Sequence, residues 1–433
     1  MPIVRVVLAL VALALAAIPS HAQERTHVYC GQLLAVPGEA PLGASTVIIL
    51  DGVIESVREG TVRPTDGAAE VDLSDRFVLP GLFDCHTHIT GQSVPVGERI
   101  RRAMQETYEY AAIDGTVYAE KTLMAGFTSI RNVGSGGRTA LALRDRINAG
   151  MVVGPRMLCS GPAVSVTGGH GDWTNSFSPV LRPDQGPETG PSDGPAEVRK
   201  AVRARIREGV DLIKITATGG VLSYTGTGVN QQFFQDELDA IVEAAHRMGR
   251  KVAAHAHGAD GVKAALRAGV DSIEHGTYTD DEAIALFLET GAYLVPTIHA
   301  GKFVAEKAEQ EGYYPPAIRI KASRVGPEIQ AMFARAHEAG VKIAFGTDVG
   351  VGAHGTNALE FVYMTEVGMS NADAIKSATV NAADLCGVLD TLGTIEPGKH
   401  ADLIATASSP LADITELQRV RFVMKGGVVH KAE

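Results

Sequence analysis

Short apolar runs alternate with amphipathic segments through the middle of this 433-residue chain. Apolar runs of this length, bounded by polar and glycine-rich stretches, are typical of buried parallel strands. They cover residues 128–132, 156–160, 211–216, 251–255, 272–274, 293–298 and 342–346. Helical periodicity fills residues 195–208, 235–248, 261–268 and 328–339. Each of these helical segments is followed directly by a glycine, which can end a helix in the left-handed conformation.

Another apolar run, at residues 77–83, leads into His86 and brings the number of strand–helix units to eight. Regular alternation of strands and helices indicates an α/β protein with a parallel sheet. Eight units predict a (β/α)8 TIM barrel, and a doubly wound open sheet is the alternative.

The two ends of the chain have a different pattern, with short strands separated by turns. An Asp51-Gly52 pair joins the apolar runs at residues 46–50 and 53–57, which is a strong hairpin signal. Residues 401–405, 420–424 and 428–429 repeat this style near the C-terminus. We therefore expect a small β-sandwich domain built from residues 23–80 and 388–433, around a barrel domain at residues 81–387.

The first residues have the features of an export signal. Arg5 precedes an unbroken apolar run at residues 6–18, and small residues at Ser20 and Ala22 fit a cleavage site after Ala22. The apolar run is too short for a stable membrane span, although an uncleaved anchor is the alternative. The sequence therefore predicts a signal peptide at residues 1–22 and a periplasmic or secreted protein without stable membrane insertion.

The charge balance is acidic, with a formal net charge of −11. Nucleic acids and anionic membranes require clustered Lys and Arg, so neither is expected as a partner. The four cysteines are widely spaced, which is unlike a zinc ribbon or a disulfide-dense scaffold. One bridge would be compatible with an oxidising compartment, but buried free thiols are the simpler interpretation.

Titratable side chains follow the ends of five predicted strands, where the active site of a barrel is built. They are His86 and His88 on the first strand, Lys214 on the fourth, His255 on the fifth, His275 on the sixth and Asp348 on the eighth. Singly, each has an ordinary structural explanation, such as a hydrogen-bonded core histidine or a helix-capping aspartate. Together they indicate a metal site, and nitrogen and oxygen ligands without thiolates suit zinc, manganese, cobalt or nickel.

Three of these positions are the most informative. His86 and His88 project from the same face of a strand, because side chains alternate with a period of two. The same alternation places Lys214 with Leu212 facing into the barrel, where an unpaired lysine is strongly disfavoured.

The sequence resembles the amidohydrolase superfamily over nearly the whole mature chain. The matching motifs are the lead-in at residues 78–84, His86-Thr87-His88, and the Gly393-to-Leu403 segment with its Glu-Pro-Gly-Lys-His-Ala-Asp run. Within the superfamily it is most similar to the branch of Xaa-Pro dipeptidases, carboxypeptidase-like enzymes and ochratoxin A-hydrolysing amidohydrolases, which is related to the imidazolonepropionases.

The resemblance implies a binuclear site with two divalent metal ions, for which zinc is expected. It implies that Lys214 is carboxylated by CO2 and bridges the metals, that His86, His88 and Asp348 hold the more buried ion, and that His255 and His275 hold the other. A hydroxide between the metals would be the nucleophile, and Asp348 would act as general base and then acid. The second metal would polarise the scissile carbonyl.

Three further residues are candidates of a weaker kind. His170 and Tyr224 lie in glycine-rich segments after the third and fourth strands, where they could donate hydrogen bonds to an oxyanion or a substrate carboxylate. The alternative is that both are ordinary polar loop residues. His257 is a rival metal ligand, but His255 is preferred because it ends the apolar strand directly.

Two long connections, at residues 173–194 and 300–326, follow the third and seventh strands. We expect them to be loops at the C-terminal face of the barrel that form lids and pocket walls, with plain surface insertions as the alternative.

The predicted function is metal-dependent cleavage of the amide bond to a C-terminal amino acid, in dipeptides, N-acyl amino acids or the phenylalanine amide of ochratoxin A. The alternatives are hydrolysis of cyclic amides or lactones, as in imidazolonepropionase-like relatives, and a barrel that binds metal without turnover. The expected partner is a small or dipeptide-like substrate with a C-terminal carboxylate. By resemblance the protein is expected to be a homo-oligomer, with an octamer as one option.

Overall fold

The computed structural model describes residues 24–175, 177–183, 185–223 and 228–433. The predicted signal peptide and Tyr224 therefore lie outside the described residues. The strands are β1 (Arg25–Leu33), β2 (Ser45–Leu50), β3 (Val53–Glu59), β4 (Ala69–Pro80), β5 (Leu82–Thr87), β6 (Phe127–Asn132), β7 (Arg156–Cys159), β8 (Leu212–Thr216), β9 (Lys251–Gly258), β10 (Ser272–Tyr278), β11 (Tyr293–Val295), β12 (Leu403–Thr406), β13 (Phe422–Lys425) and β14 (Val428–Ala432).

The α-helices are α1 (Val96–Gln105), α2 (Tyr108–Met124), α3 (Thr139–Asn148), α4 (Gly194–Arg207), α5 (Gln235–Arg247), α6 (Ala259–Ala268), α7 (Asp281–Thr290), α8 (Ile298–Glu309), α9 (Pro316–Glu338), α10 (Leu359–Thr365), α11 (Asn371–Ser377) and α12 (Val380–Cys386). Short 3-10 helices lie at Pro179–Leu181 and Ile414–Arg419. No helix in the described part of the chain combines the length and the apolar character needed to cross a membrane.

Strands from the two chain ends share one seven-stranded sheet, in the order β14-β13-β12-β4-β1-β2-β3. The two ends meet where β12 pairs antiparallel with β4, from Leu403 opposite Pro80 to Thr406 opposite Phe77. The predicted hairpin between β2 and β3 is present, and Asp51 and Gly52 both adopt the left-handed conformation that its tight turn requires.

The central part is an α/β fold with parallel sheets, as the sequence pattern predicted. β5, β6 and β7 form one parallel sheet, and β8 to β11 form another in sequence order. Every residue of β5, β6 and β8 is buried, as is typical of parallel strands that are covered on both faces.

Backbone hydrogen bonds continue between the two parallel sheets. On one side, the amide of Val164, which follows β7, donates to the carbonyl of Lys214 on β8 at 2.8 Å. Residues 342–348 lie between β11 of one sheet and β5 of the other. The Leu294 amide on β11 donates to the Lys342 carbonyl at 2.8 Å, and the Cys85 amide on β5 donates to the Phe345 carbonyl at 2.8 Å.

Two predicted segments have a different local structure. Residues 342–346, expected to be a strand, form only an isolated bridge at Ile343, because the Phe345 amide donates to the Ser377 carbonyl at 3.0 Å instead of to a neighbouring strand. Residues 300–326, expected to be a loop, are mostly helical in α8 and α9. Ala300, Val304 and Ala308 repeat every four residues on the buried face of α8.

The proline pair at residues 315–316 made residues 300–326 look like a loop in the sequence. Pro316 occupies the first turn of α9, where a missing amide hydrogen costs no helical hydrogen bond. The four cysteines are free, and three of them are buried, as the simpler interpretation predicted.

Candidate active site

The six predicted metal ligands lie together around a cavity of about 330 Å³ at the carboxyl ends of the parallel strands. β5 supplies His86 and is followed by His88, while Lys214 lies on β8. The remaining three, on β9, β10 and after residue 346, are His255, His275 and Asp348. The strand ends therefore place side chains that are far apart in sequence around one space.

One half of the centre consists of a carboxylate facing imidazole nitrogens. Asp348 Oδ1 lies 3.3 Å from His88 Nε2 and 3.6 Å from His86 Nε2. This oxygen is buried and has no hydrogen-bond partner among the described residues. Potential ligand atoms of His86, His275 and Asp348 all lie within 4.8 Å of one another. A buried carboxylate oxygen without a donor, next to several ring nitrogens, fits a cation-binding position.

The second half is a group of three buried histidines. Potential ligand atoms of His255, His257 and His275 also lie within 4.8 Å of one another. The ring centroids of His255 and His275 are 4.7 Å apart, and those of His257 and His275 are 4.8 Å apart. The structure therefore brings both the preferred ligand His255 and its rival His257 into the cluster.

In four of these histidines, Nδ1 is engaged by a neighbouring group, so that Nε2 is the nitrogen left for a metal. The contacts are His86 Nδ1 to Glu274 Oε2 at 2.8 Å, His88 Nδ1 to the Gly134 carbonyl oxygen at 3.1 Å, His257 Nδ1 to Thr277 Oγ1 at 2.8 Å, and His275 Nδ1 to Thr297 Oγ1 at 2.7 Å. Metal-binding histidines commonly donate their other ring N–H to such a group, which fixes the tautomer. The donor set therefore fits divalent metal ions.

The pKa shifts of the histidines agree with this assignment. Burial lowers the pKa of His86, His255 and His275 well below the ordinary value, so that the rings are neutral and can donate a lone pair. Burial lowers the pKa of Lys214 to about 8 and raises that of Asp348 to about 8. Within the described residues, the Lys214 ammonium has no ion-pair partner within 4 Å.

Backbone strain is concentrated at the same place. His275 and Asp348 have φ angles of 73° and 60°, and Thr297, which contacts His275, has a φ of 57°. Non-glycine residues rarely adopt this left-handed region, and surrounding contacts must hold them there.

Asp84 supplies part of that support. Its Oδ1 accepts the backbone amides of His86 at 3.0 Å and Thr347 at 3.1 Å, and its Oδ2 accepts Thr347 Oγ1 at 2.5 Å and Asn357 Nδ2 at 2.7 Å. A single buried carboxylate thus fixes the backbone beside two of the predicted ligands, His86 and Asp348.

His170 reaches the cluster from a loop after β7. Its ring centroid is 4.2 Å from that of His255, and its Nδ1 is buried without a hydrogen-bond partner in the described part of the chain. Burial lowers its pKa to about 3, so that the ring is neutral. This position agrees with its predicted place in the site, whereas Tyr224 lies outside the described residues.

Aliphatic side chains form much of the cavity wall. Val221, Val304, Val325, Ile329 and Val351 line it, and three of these belong to α8 and α9. The predicted long connection at residues 300–326 therefore does line the pocket, although as helices.

A second cavity of about 920 Å³ adjoins the first and shares His170 and Leu222 with it. Trp173 and Phe177, from the other long connection, line this outer space together with Tyr108.

Sequence reasoning missed Glu274 and Arg131, which lie directly behind His86. Glu274 is two residues from Ser272 on β10, so alternation turns both toward the interior. A charged residue on the inner face of an apolar strand is the same signal that singled out Lys214.

The Amidohydrolase family model matches residues 77–429 of the chain. The chain belongs to the amidohydrolase family. It is 35% identical over 433 residues to ochratoxinase of Aspergillus niger, covering 94% of this chain and 86% of that protein. This amidohydrolase is therefore a hydrolase, and the His/Asp clusters are where a member of the family would bind metal ions.

Solved structures agree over the same length. A Xaa-Pro dipeptidase with methionine bound in its active site has a TM-score of 0.91 and 45% identity, covering 94% of this chain and 100% of that chain. A prolidase complexed with N-methylphosphonate-L-proline has a TM-score of 0.85 and 32% identity, covering 94% of this amidohydrolase and 100% of that chain.

Proposed function

We propose that this protein is a binuclear metal-dependent amidohydrolase that cleaves the amide bond to a C-terminal amino acid. Dipeptides, N-acyl amino acids and phenylalanine amides of the ochratoxin A type are its proposed substrates. The observation that carries this proposal is that imidazole nitrogens of His86, His88 and His275, each with the other ring nitrogen engaged, converge on a buried carboxylate oxygen of Asp348 that has no hydrogen-bond partner among the described residues.

His86, His88 and Asp348 would hold one ion, and His255 and His275 the other, with zinc as the proposed metal. Bound at these positions, two divalent cations would lower the pKa of a water molecule and polarise the scissile carbonyl. His257 is close enough to compete with His255 as a ligand, so both belong to the proposal.

We propose that Lys214 is carboxylated. A pKa of about 8 leaves part of the amine neutral near neutral pH, and only the neutral amine has the electron pair to attack CO2. The new N–C bond forms a carbamate, and the displaced proton leaves to solvent. This change replaces a buried cation by an anion, which two nearby metal ions would compensate.

Asp348 is proposed to move the proton during hydrolysis. Its Oδ1 lies beside the imidazole nitrogens of His86 and His88 and has no hydrogen-bond donor among the described residues, so it is placed to take a proton and then give it to the leaving amine. His170 is proposed to donate a hydrogen bond to the developing oxyanion or the substrate carboxylate, and Tyr224 is proposed for the same role on its sequence position alone.

The substrate proposal rests on the cavity and on the relatives. An aliphatic cavity of about 330 Å³ suits one apolar amino-acid side chain. The methionine in the Xaa-Pro dipeptidase, the proline analogue in the prolidase and the name of ochratoxinase all point to amides of apolar amino acids.

Several structural and cellular proposals accompany this function. We propose that the parallel strands close into a (β/α)8 barrel at residues 81–387, supported by the hydrogen bonds from residues 342–348 to both outer strands. Residues 23–80 and 388–433 are proposed as a β-sandwich domain. Export through a cleaved signal peptide at residues 1–22, and assembly into a homo-oligomer, are proposed from the sequence.

Lys214→Ala and Asp348→Asn test the assignment. Each is expected to abolish release of phenylalanine from N-acyl-phenylalanine while the far-UV circular dichroism spectrum is unchanged. Lys302→Ala, which removes a surface ion pair with Glu366, is the matched control and should retain activity. Full activity in either site variant would refute the proposal. Turnover of cyclic amides or lactones, but not linear amides, would instead favour the imidazolonepropionase-like alternative.

A further inference from the structure

A buried arginine connects three strands behind the metal cluster. The Arg131 guanidinium on β6 is 3% exposed. It donates from Nε to the Cys85 carbonyl at 2.6 Å, from Nη1 to Ser272 Oγ at 3.0 Å and from Nη2 to Glu274 Oε1 at 2.7 Å. A planar guanidinium with several fixed donors can hold a carboxylate in one orientation, which a lysine cannot do equally well.

Glu274, held by Arg131, in turn contacts the His86 ring. Its side chain is 0% exposed, and its Oε1 accepts both Arg131 Nη2 and Ser272 Oγ, the latter at 2.5 Å. Its other oxygen, Oε2, lies 2.8 Å from His86 Nδ1. One carboxylate oxygen therefore accepts from Arg131 and Ser272, and the other is paired, among the described residues, with the His86 imidazole alone.

We propose that Arg131 and Glu274 are a positioning pair that sets the tautomer and the ring orientation of His86. Arg131 holds the carboxylate, and the carboxylate accepts the Nδ1–H of His86, so that the Nε2 lone pair faces Asp348 and the metal. The inference rests on the proposed function in so far as His86 is a metal ligand. The two residues act through His86, since neither of them lines the cavity.

The alternative role is that of an ion pair that only stabilises the fold. A buried ion pair is weak evidence for stability, since desolvation of both charges offsets their attraction. The geometry indicates a more specific role for Glu274, because an amide at this position cannot accept hydrogen bonds from both Arg131 and His86. If the Gln oxygen faced His86, its amide hydrogens would face the Arg131 donors. If the amide nitrogen faced His86, it would donate to Nδ1 and move the ring proton to Nε2.

Glu274→Gln is therefore expected to weaken binding of one metal ion and leave the other. Metal-free protein is titrated with Zn²⁺ against a chromophoric chelator, which gives the stoichiometry and both dissociation constants. Removing an outer hydrogen-bond partner of a ligand typically costs about 10- to 100-fold in metal affinity. We expect that loss at one of two sites, with the second dissociation constant unchanged within about twofold.

A matched control separates this effect from general destabilisation. Asp402, 5% exposed, pairs with Arg156 at 3.2 Å and contacts no histidine of the cluster in the described residues. Asp402→Asn should lower the urea midpoint without changing either zinc dissociation constant. Arg131→Lys, which keeps the charge but loses the planar set of donors, is a second variant for the case in which Glu274→Gln does not fold, and it should weaken the same single site.

A double-mutant cycle shows whether the pair acts through His86. In a His86→Asn background, Glu274→Gln should cause no further loss of zinc affinity. Unchanged zinc affinity in Glu274→Gln and Arg131→Lys, with two ions bound to the wild-type protein, would overturn the positioning role alone. A wild-type protein that binds no zinc would overturn the proposed metal centre and, with it, this inference.

Discussion

Asp84 fixes the backbone beside His86 and Asp348, and its contact with Asn357 allows this role to be tested by exchanging the two residues. Asp84 Oδ2 accepts the Asn357 amide at 2.7 Å, and both side chains are 0% exposed. In Asp84→Asn, the new NH2 group faces either the NH2 group of Asn357 or the backbone N–H groups of His86 and Thr347. Both orientations leave a buried donor without an acceptor.

The size of the effect follows from the lost contacts. A hydrogen bond to a charged group contributes about 1.5–3 kcal/mol, and an unsatisfied buried polar group costs about 1–3 kcal/mol. Asp84→Asn should therefore lower the free energy of unfolding by about 3–5 kcal/mol. Asn357→Asp should cost a similar amount, because it brings two buried carboxylates together and one of them must take a proton.

The double variant Asp84→Asn/Asn357→Asp restores a complementary pair with donor and acceptor exchanged. We expect it to recover at least about 2 kcal/mol relative to the sum of the single variants, which is a coupling typical of residues in direct contact. Urea denaturation followed by far-UV circular dichroism measures the three free energies. Strict additivity of the two single effects would refute the reasoning, since it would mean that the two side chains do not interact.

Three further predictions concern the proposed metal centre and the stability of the protein. In Gly134→Ala the new Cβ would lie 2.9 Å from His88 Cε1, so His88 must move and zinc affinity should fall at least about tenfold in a chelator competition, whereas Gly97→Ala, with open space around it, should leave affinity unchanged. Burial lowers the pKa of His299 and of His354 to about 4, so the unfolded chain binds more protons than the folded chain between about pH 6.5 and pH 4. Stability of the metal-free protein should fall as the pH is lowered through this window, by up to about 3 kcal/mol for each histidine, and replacing both by Gln should reduce the dependence of the urea midpoint on pH. Removal of metal by a chelator should lower the thermal midpoint, and zinc at about 1,000 times its dissociation constant should restore about 4 kcal/mol; an unchanged midpoint would argue against a metal bound to the folded state.

The sequence was most informative where a residue contradicted its surroundings. Lys214 stands out because a strand with two buried faces has no place for an unpaired ammonium, and the structure does place it in the cavity with the histidines. The His86 and His88 pair was informative for a geometric reason, since the period of a strand alone puts both rings on one face.

Other parts of the site depend on partners that the sequence does not reveal. Arg131 and Glu274 lie on β6 and β10, and the contacts of Glu274 with Arg131 and His86 follow from packing across the parallel strands. His257 and His255 share one face of β9, so alternation could not distinguish them. Residues 300–326 were predicted as a loop because prolines and tyrosines obscured the buried stripe at Ala300, Val304 and Ala308, whereas the helical periodicity at residues 328–339 was recognised.

The central claim, a binuclear metal centre that hydrolyses amides of C-terminal amino acids, is tested most directly by a metal titration of activity. Zinc is added stepwise to metal-free protein in bicarbonate buffer, and the phenylalanine released from N-acyl-phenylalanine is measured by liquid chromatography. The account predicts that the rate rises until two equivalents per chain are bound and then stays constant. A plateau at one equivalent, or no release of phenylalanine with metal fully bound, would contradict it.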